Sequence, residues 1–258
     1  MKEGDNTQYS WGKLANLYRE FREIGGRFNK DDKARIGEYP YMLSLLEQTQ
    51  IKNKSVLDVG CGFGFYTLLL ERMGATHIEG VDFSPEMIKL ALDYKEKNKS
   101  MANFSVARAE ALPFPSNSFD VITSGMAIDV ENLDLAFSEL SRVLTSNGKI
   151  IFSVPHPTKT HGKYDENGKF IFGEYFTSDS YASTWSYDKD TPPITFNRPN
   201  KKIEDYTEAL YKNHFVLRRL FESKPIFSEE DDNAKKLETK MISVPTYLII
   251  SAEKTGEK

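Results

Sequence analysis

The stretch Val56-Leu57-Asp58-Val59-Gly60-Cys61-Gly62-Phe63-Gly64 reads as a short apolar run stopped by glycines. Residues 54–59 have the composition of a buried parallel strand. Residues 64–73 (GFYTLLLERM) then read as a helix closed by Gly74. Glycines at such a strand-to-helix junction let the backbone pass close to a ligand without interference from a Cβ. A dinucleotide fingerprint fails here, since its third glycine falls on Phe65. Asp58, two residues before the first glycine, would repel a pyrophosphate but suits a ligand carrying an ammonium and a sulfonium. No GKS or GKT follows, which excludes a nucleoside-triphosphate loop.

Working outward, HIEGVD forms a second strand ending at Asp82, 22 residues after Gly60. An acid there can accept hydrogen bonds from both hydroxyls of a ribose. Ser84 caps the next helix and Pro85 sits in its first turn. Strands follow near 103–107 and 119–123, then a helix at 133–145 and a strand at 149–154. This alternation predicts a parallel, doubly wound sheet. Residues 156–200 break the rhythm and show no clear elements, so they are expected to be a functional insertion. A helix at 203–213 and the strands FVLRRLFE and PTYLIISAE complete the pattern, with an acidic run, Glu229 to Asp232, between the strands as a solvated loop. No internal repeat is visible.

Composition narrows the function classes. The 258 residues carry 34 Lys and Arg against 38 Asp and Glu, a formal charge of −4. That balance argues against a nucleic-acid backbone as the main partner. No apolar run reaches membrane-spanning length, and the N-terminus lacks the apolar core of a secretory signal, so a cytoplasmic protein without membrane insertion is expected. One cysteine, Cys61, allows neither an intramolecular disulfide nor a cysteine-based zinc cluster. His156 and His161 without a matching carboxylate make no metal site, and catalysis is expected to need none.

VLDVGCGFG, GVDFSPEMIKLA, ARAEALPFPSNSFDVITS and ELSRVLTSNGKIIFSVPHP, in this order and spacing, resemble the class I S-adenosylmethionine-dependent methyltransferases. They are most similar to the branch of small-molecule and ubiquinone/menaquinone-pathway enzymes. The resemblance is strong over residues 40–155. It implies a Rossmann-like α/β fold: a seven-stranded, mostly parallel sheet with an antiparallel last strand near Thr246–Ala252, and helices on both faces. The expected organisation is one domain over 1–258: an N-terminal helical cover at 1–50, a cofactor-binding core at 51–155, a substrate lid at 156–200, and a C-terminal helix and strand pair at 201–258. The implied cofactor is S-adenosylmethionine, leaving as S-adenosylhomocysteine.

Carried onto this chain, the resemblance places Asp58, Gly60, Cys61 and Gly62 around the methionine part and Asp82 on the ribose. Phe83 and Met87 would line the adenine or ribose side, and Ala109 and Glu110 the adenine edge. Ser124 and Met126 would lie beneath the sulfonium. Met87 and Met126 are alternatively plain core residues. Two departures stand out: Arg108 where relatives commonly carry Asp, and Ile128-Asp129 where many carry a His-aromatic pair. Asp129 is either solvent-facing or an acceptor contact that would favour a cation.

The acceptor is expected to be a small molecule, methylated at O, N or C by in-line displacement, in a monomer or homodimer. A peptide or protein amine, or binding without catalysis, are the alternatives. His156 is the candidate general base, with a structural loop histidine as its alternative. Tyr18 and Tyr41 of the N-terminal cover, with Tyr175 and Phe176 of the insertion, are candidate acceptor contacts; packing of the covers is the competing role.

Overall fold

The structure is a computed structural model describing residues 38–167, 169–176, 180–185, 194–223 and 244–256. The expectations for Tyr18 and most of the N-terminal cover, and for the acidic run at 229–232, lie outside those residues.

Helix α1 (Tyr39–Gln48) precedes β1 (Ser55–Val59), α2 (Phe65–Arg72), β2 (His77–Asp82), α3 (Pro85–Asn98) and β3 (Asn103–Val106). After these come β4 (Phe119–Gly125), α4 (Leu133–Val143) and β5 (Leu144–Pro155). Local chemistry sets the boundaries. Ser84 accepts the Met87 N–H at 3.3 Å and Pro85 occupies the first turn of α3, while Lys95 and Lys97 sit in its last turn. Asn132 caps α4 by accepting from Leu135 N at 2.9 Å. Such caps satisfy N–H groups that have no partner inside the helix.

The insertion is more regular than its sequence suggests. Residues 156–200 hold a one-turn helix, α5 (Pro157–Thr160), and two hairpins. Strand β6 (Gly162–Tyr164) pairs with β7 (Phe170–Phe172), and β8 (Ser180–Trp185) with β9 (Ile194–Pro199). Strands of three to six residues are too short for their alternation to stand out in mixed aromatic and polar sequence. Helix α6 (Ile203–Lys212), β10 (Phe215–Glu222) and β11 (Tyr247–Lys254) complete the fold. Strand β5 begins five residues earlier than expected, because Leu144 already leaves helical backbone with ψ 140°.

Seven strands lie in the order β10-β11-β5-β4-β1-β2-β3. All neighbours are parallel except those of β11, which runs antiparallel to both β5 and β10. The expected Rossmann-like sheet with its antiparallel last strand is therefore present. Alternate residues divide the core in two. Leu57, Ile122, Phe152 and Ile250 join Phe137 of α4 and Tyr206 of α6 on one face. Val56, Val121, Ile151 and Ile249 join Met42 and Leu46 of α1 and Leu70 of α2 on the other. Strand order reverses between β1 and β4. At such a switch point the loops leaving two strands diverge to opposite sides and open a crevice at their carboxyl ends.

Candidate functional site

The glycine loop borders this crevice. Gly60 N and Cys61 N both donate to Val81 O, at 2.7 and 2.9 Å, tying the loop to the end of β2. Gly60, Gly62 and Gly64 have φ of +70°, +56° and +94°, a region that favours glycine. Their surroundings differ. A Cβ on Gly60 would lie 2.0 Å from Ala127 Cβ, and one on Gly64 2.8 Å from the Phe104 ring. A Cβ on Gly62 would meet none of the described residues within 4 Å. Gly60 and Gly64 therefore serve packing, and Gly62 borders space left open among the described residues.

Two acids stand beside the loop. Asp58 is almost fully buried; its Oδ2 accepts from Thr67 Oγ1 at 2.6 Å, and its Oδ1 has no partner among the described residues. Burial pushes its carboxyl up to about 7 against the opposing bonds from Thr67. Asp82 accepts Gly62 N and Ser84 N, one on each oxygen, both at 2.9 Å. Desolvation raises it to about 6 despite those bonds. Each Asp82 oxygen keeps a further lone pair, so knitting the loop together does not exclude a ribose contact. Burial, with the Asp82 and Asp58 charges next, pushes the Cys61 thiol well up, so Cys61 stays protonated and is no nucleophile.

At the end of β4, Thr123 is the register partner of Asp58. Ser124 lies fully buried with Oγ unpartnered among the described residues. Met126 adopts φ +63°, held by its N–H donating to Ser153 O at 2.9 Å and Ser153 Oγ at 3.2 Å. Its side chain packs against the α1/α2 core. Met87 is buried with Phe63 and Leu90, so packing is its role in this structure rather than lining a cleft. Around the residues expected to meet adenine, the Arg108 guanidinium lies 5.7 Å from the Phe83 ring centre and 3.6 Å from Glu110, beside the buried Ala109.

The candidate acceptor residues are less convergent. His156 is fully buried, and both ring nitrogens are engaged. Nδ1 accepts from Thr158 N at 3.1 Å, capping α5, so the proton sits on Nε2, 3.0 Å from Glu222 Oε1. Burial lowers its pKa against the pull of Glu222. That geometry is a structural histidine's and leaves no nitrogen free to act as a base. Tyr175 places its hydroxyl where it accepts from Ile203 N at 3.1 Å, and it packs 4.7 Å from the His161 ring. Phe176 is 82% exposed. Tyr41 lies 5.7 Å from the Phe221 ring, on the α1 side of the sheet.

Asp129 is not solvent-facing. It is buried in an ion pair with Arg198 of β9, and burial raises its carboxyl while Arg198 opposes the rise. Reasoning from sequence missed Thr67, Arg198 and Glu222. Thr67 alone had a local signal, a hydroxyl on the first turn after the glycine loop.

Residues 57–152 match the methyltransferase domain family. The chain is 32% identical over 162 residues to a demethylmenaquinone methyltransferase of Staphylococcus aureus, covering 58% of this chain and 64% of that protein. It thus spans less than two thirds of that relative. An S-adenosylmethionine-dependent methyltransferase from Mesorhizobium loti superposes with a TM-score of 0.69 at 21% identity, covering 84% of this chain and 97% of the other. The [4+2]-cyclase SpnF superposes with a TM-score of 0.66 at 18% identity, covering 97% and 96%.

Proposed function

With a methyltransferase domain at residues 57–152 as the premise, we propose that this protein is an S-adenosylmethionine-dependent methyltransferase acting on a small-molecule acceptor. The observation that carries the proposal is Asp58 Oδ1, a buried carboxylate oxygen without a donor among the described residues, at the switch-point crevice. A buried acid left in that state is matched by a ligand ammonium, and in the same glycine loop a Cβ on Gly62 would meet none of the described residues within 4 Å.

S-adenosylmethionine, when bound, supplies a methyl group on a sulfonium that is already activated for displacement. Asp58 holds the ammonium, and Asp82 offers its remaining lone pairs to the ribose hydroxyls. Gly60, Cys61 and Gly62 form the floor; Phe83, Ala109 and Glu110 line the adenine side, and Ser124 lies under the reacting end. The remaining task is to orient the acceptor and exclude water, and orientation supplies about 7–11 kcal/mol in favourable cases. His156 has no part as a base in this scheme. The demethylmenaquinone methyltransferase relative supports a small acceptor. Among the described residues no helix is long and apolar enough to cross a membrane, and the proposed setting is the cytoplasm, as a monomer or homodimer.

The likeness to a cyclase favours a second reading, in which the scaffold serves a reaction other than methyl transfer. Two measurements test the proposal. Calorimetric titration should show S-adenosylhomocysteine binding and no NAD binding; the reverse result refutes the cofactor assignment. Methyl-labelled cofactor incubated with metabolite pools should pass label to a small molecule. Binding without transfer would favour the second reading.

A further inference from the structure

Met126, the first residue after β4, is a non-glycine residue at φ +63°. A side chain disfavours that conformation, which persists only where the surroundings impose it. Here they do so from three directions. The Met126 N–H donates to Ser153 O at 2.9 Å and to Ser153 Oγ at 3.2 Å. Its carbonyl accepts from Nη2 of Arg198 at 3.1 Å. Its side chain packs into the α1/α2 core. The first hold comes from β5, beside it in the sheet, and the second from β9, far away in the insertion.

Stability alone does not account for Arg198. Its side chain is only 12% exposed and pairs with Asp129, whose Oδ2 is buried without a donor among the described residues. A buried ion pair with an orphan oxygen carries a desolvation cost that its own attraction offsets poorly. Apolar side chains of similar volume would hold the insertion down as well. What they could not supply is the donor to Met126 O.

The Met126 bend reaches the cofactor crevice through its next residue. Ala127 lies so close to Gly60 that a Cβ on that glycine would come within 2.0 Å of the Ala127 Cβ. Gly60 opens the loop proposed to carry the methionine part of the cofactor. The adenosine side is anchored elsewhere, through Asp82 and its bonds to Gly62 N and Ser84 N. A bend released from its clamp would therefore disturb the methionine end of the crevice first.

Resting on the methyltransferase proposal, we infer that Arg198 and Ser153 are positioning residues that clamp the Met126 bend against Gly60 and so place the methionine end of S-adenosylmethionine.

Calorimetric titration with two ligands tests it, in competition format for the weaker one. S-adenosylhomocysteine carries the amino-acid end, whereas methylthioadenosine keeps the adenosine and the sulfur without it. Arg198→Met removes the donor to Met126 O, and Ser153→Ala removes only the hydroxyl from the Met126 N–H. S-adenosylhomocysteine should bind about tenfold more weakly to Arg198→Met and about threefold more weakly to Ser153→Ala, the loss of one hydrogen bond's worth of positioning in each. Methylthioadenosine should stay within about twofold of wild type in both. A merely structural role would lower the melting temperature and leave the ratio of the two affinities at its wild-type value. An unchanged ratio, or an unchanged affinity for S-adenosylhomocysteine, in either variant overturns the assignment. Should Arg198→Met fail to fold, Ser153→Ala decides alone. Wild-type protein that binds no S-adenosylhomocysteine overturns the methyltransferase proposal and this inference with it. Wild-type binding with unchanged ratios in the variants overturns this inference only.

Discussion

Asp58 and Asp82 sit 24 residues apart in sequence and border one loop, yet substitutions at them should behave differently. Asp58 has one oxygen bonded to Thr67 and one without a donor among the described residues. Asp58→Asn removes a buried charge that costs stability when the crevice is empty. At pH 8 the ligand-free variant should melt several degrees higher, a gain on the order of a few kcal/mol. It should also bind S-adenosylhomocysteine about 10- to 100-fold more weakly, because a charge-assisted hydrogen bond contributes about 1.5–3 kcal/mol. Scanning calorimetry and isothermal titration on the same preparation check both signs; a lower melting temperature with unchanged affinity would refute the ammonium role. Asp82→Ala instead strips the acceptor from Gly62 N and Ser84 N. Affinity should fall about 100-fold together with a loss of melting temperature, whereas a change under threefold would remove Asp82 as the ribose anchor. Both acids were legible in the sequence, since Asp58 is the penultimate residue of β1 and Asp82 the last of β2, each at a set distance from the glycines. Arg198 was not, because its partner Asp129 lies 69 residues away and only the hairpin brings them together. The same distance effect hid the pairing of His156 with Glu222, 66 residues on.

At the scale of elements, the glycine loop and the insertion give two contrasts. Gly60→Ala would drive a methyl to within 2.0 Å of Ala127 and push the loop after β4 out of place. Gly62→Ala meets none of the described residues and carries the strain of a positive φ, about 1 kcal/mol. The first variant should lose substantial thermal stability. The second should melt within a few degrees of wild type while losing cofactor affinity, as judged by S-adenosylhomocysteine titration. If Gly62→Ala binds normally, Gly62 does not face the ligand. His156→Ala removes the α5 cap and the bond to Glu222 and leaves a buried hole. It should cost about 2–4 kcal/mol of stability, with turnover per folded molecule intact once the acceptor is known; a large loss of single-turnover rate without a melting shift would restore a catalytic role. The β-α units of the core were readable because caps, glycine stops and buried apolar runs agree locally. The start of β5 and the hairpins of the insertion were not. Thr145-Ser146-Asn147-Gly148 has turn composition inside a strand, and short hairpins are fixed by what they pack on rather than by their own pattern.

Across the whole molecule, the crevice lies where the β1-β2-β3 half of the sheet meets the β4-β5-β11-β10 half. A ligand held by Asp58 and Asp82 on one side and by the end of β4 on the other should stabilise the fold as a unit. At a free concentration of 100 times Kd the stabilisation is about 2.7 kcal/mol, which for a chain of this size corresponds to roughly 5–11 °C. The pH dependence of that shift has a definite sign. Asp58 keeps its proton up to about pH 7 when folded, against an ordinary value of 3.8, and Asp82 keeps its own up to about 6. Between these limits the ligand-free folded state holds extra protons, so its stability from these groups is greatest at low pH and falls as pH rises toward 7. Ligand binding runs the other way, because an ammonium is attracted by a carboxylate and not by a carboxylic acid. His156, buried with its pKa lowered, destabilises the fold on acidification, but it does so with or without ligand and cancels from the difference. The melting shift produced by S-adenosylhomocysteine should therefore be small at pH 5.5 and reach its full size by pH 8. In Asp58→Asn the ligand-free pH slope between 5 and 7 should flatten and the dependence of the shift should weaken. A shift that is equal at both pH values, or larger in acid, would mean that Asp58 does not face the charged end of the ligand.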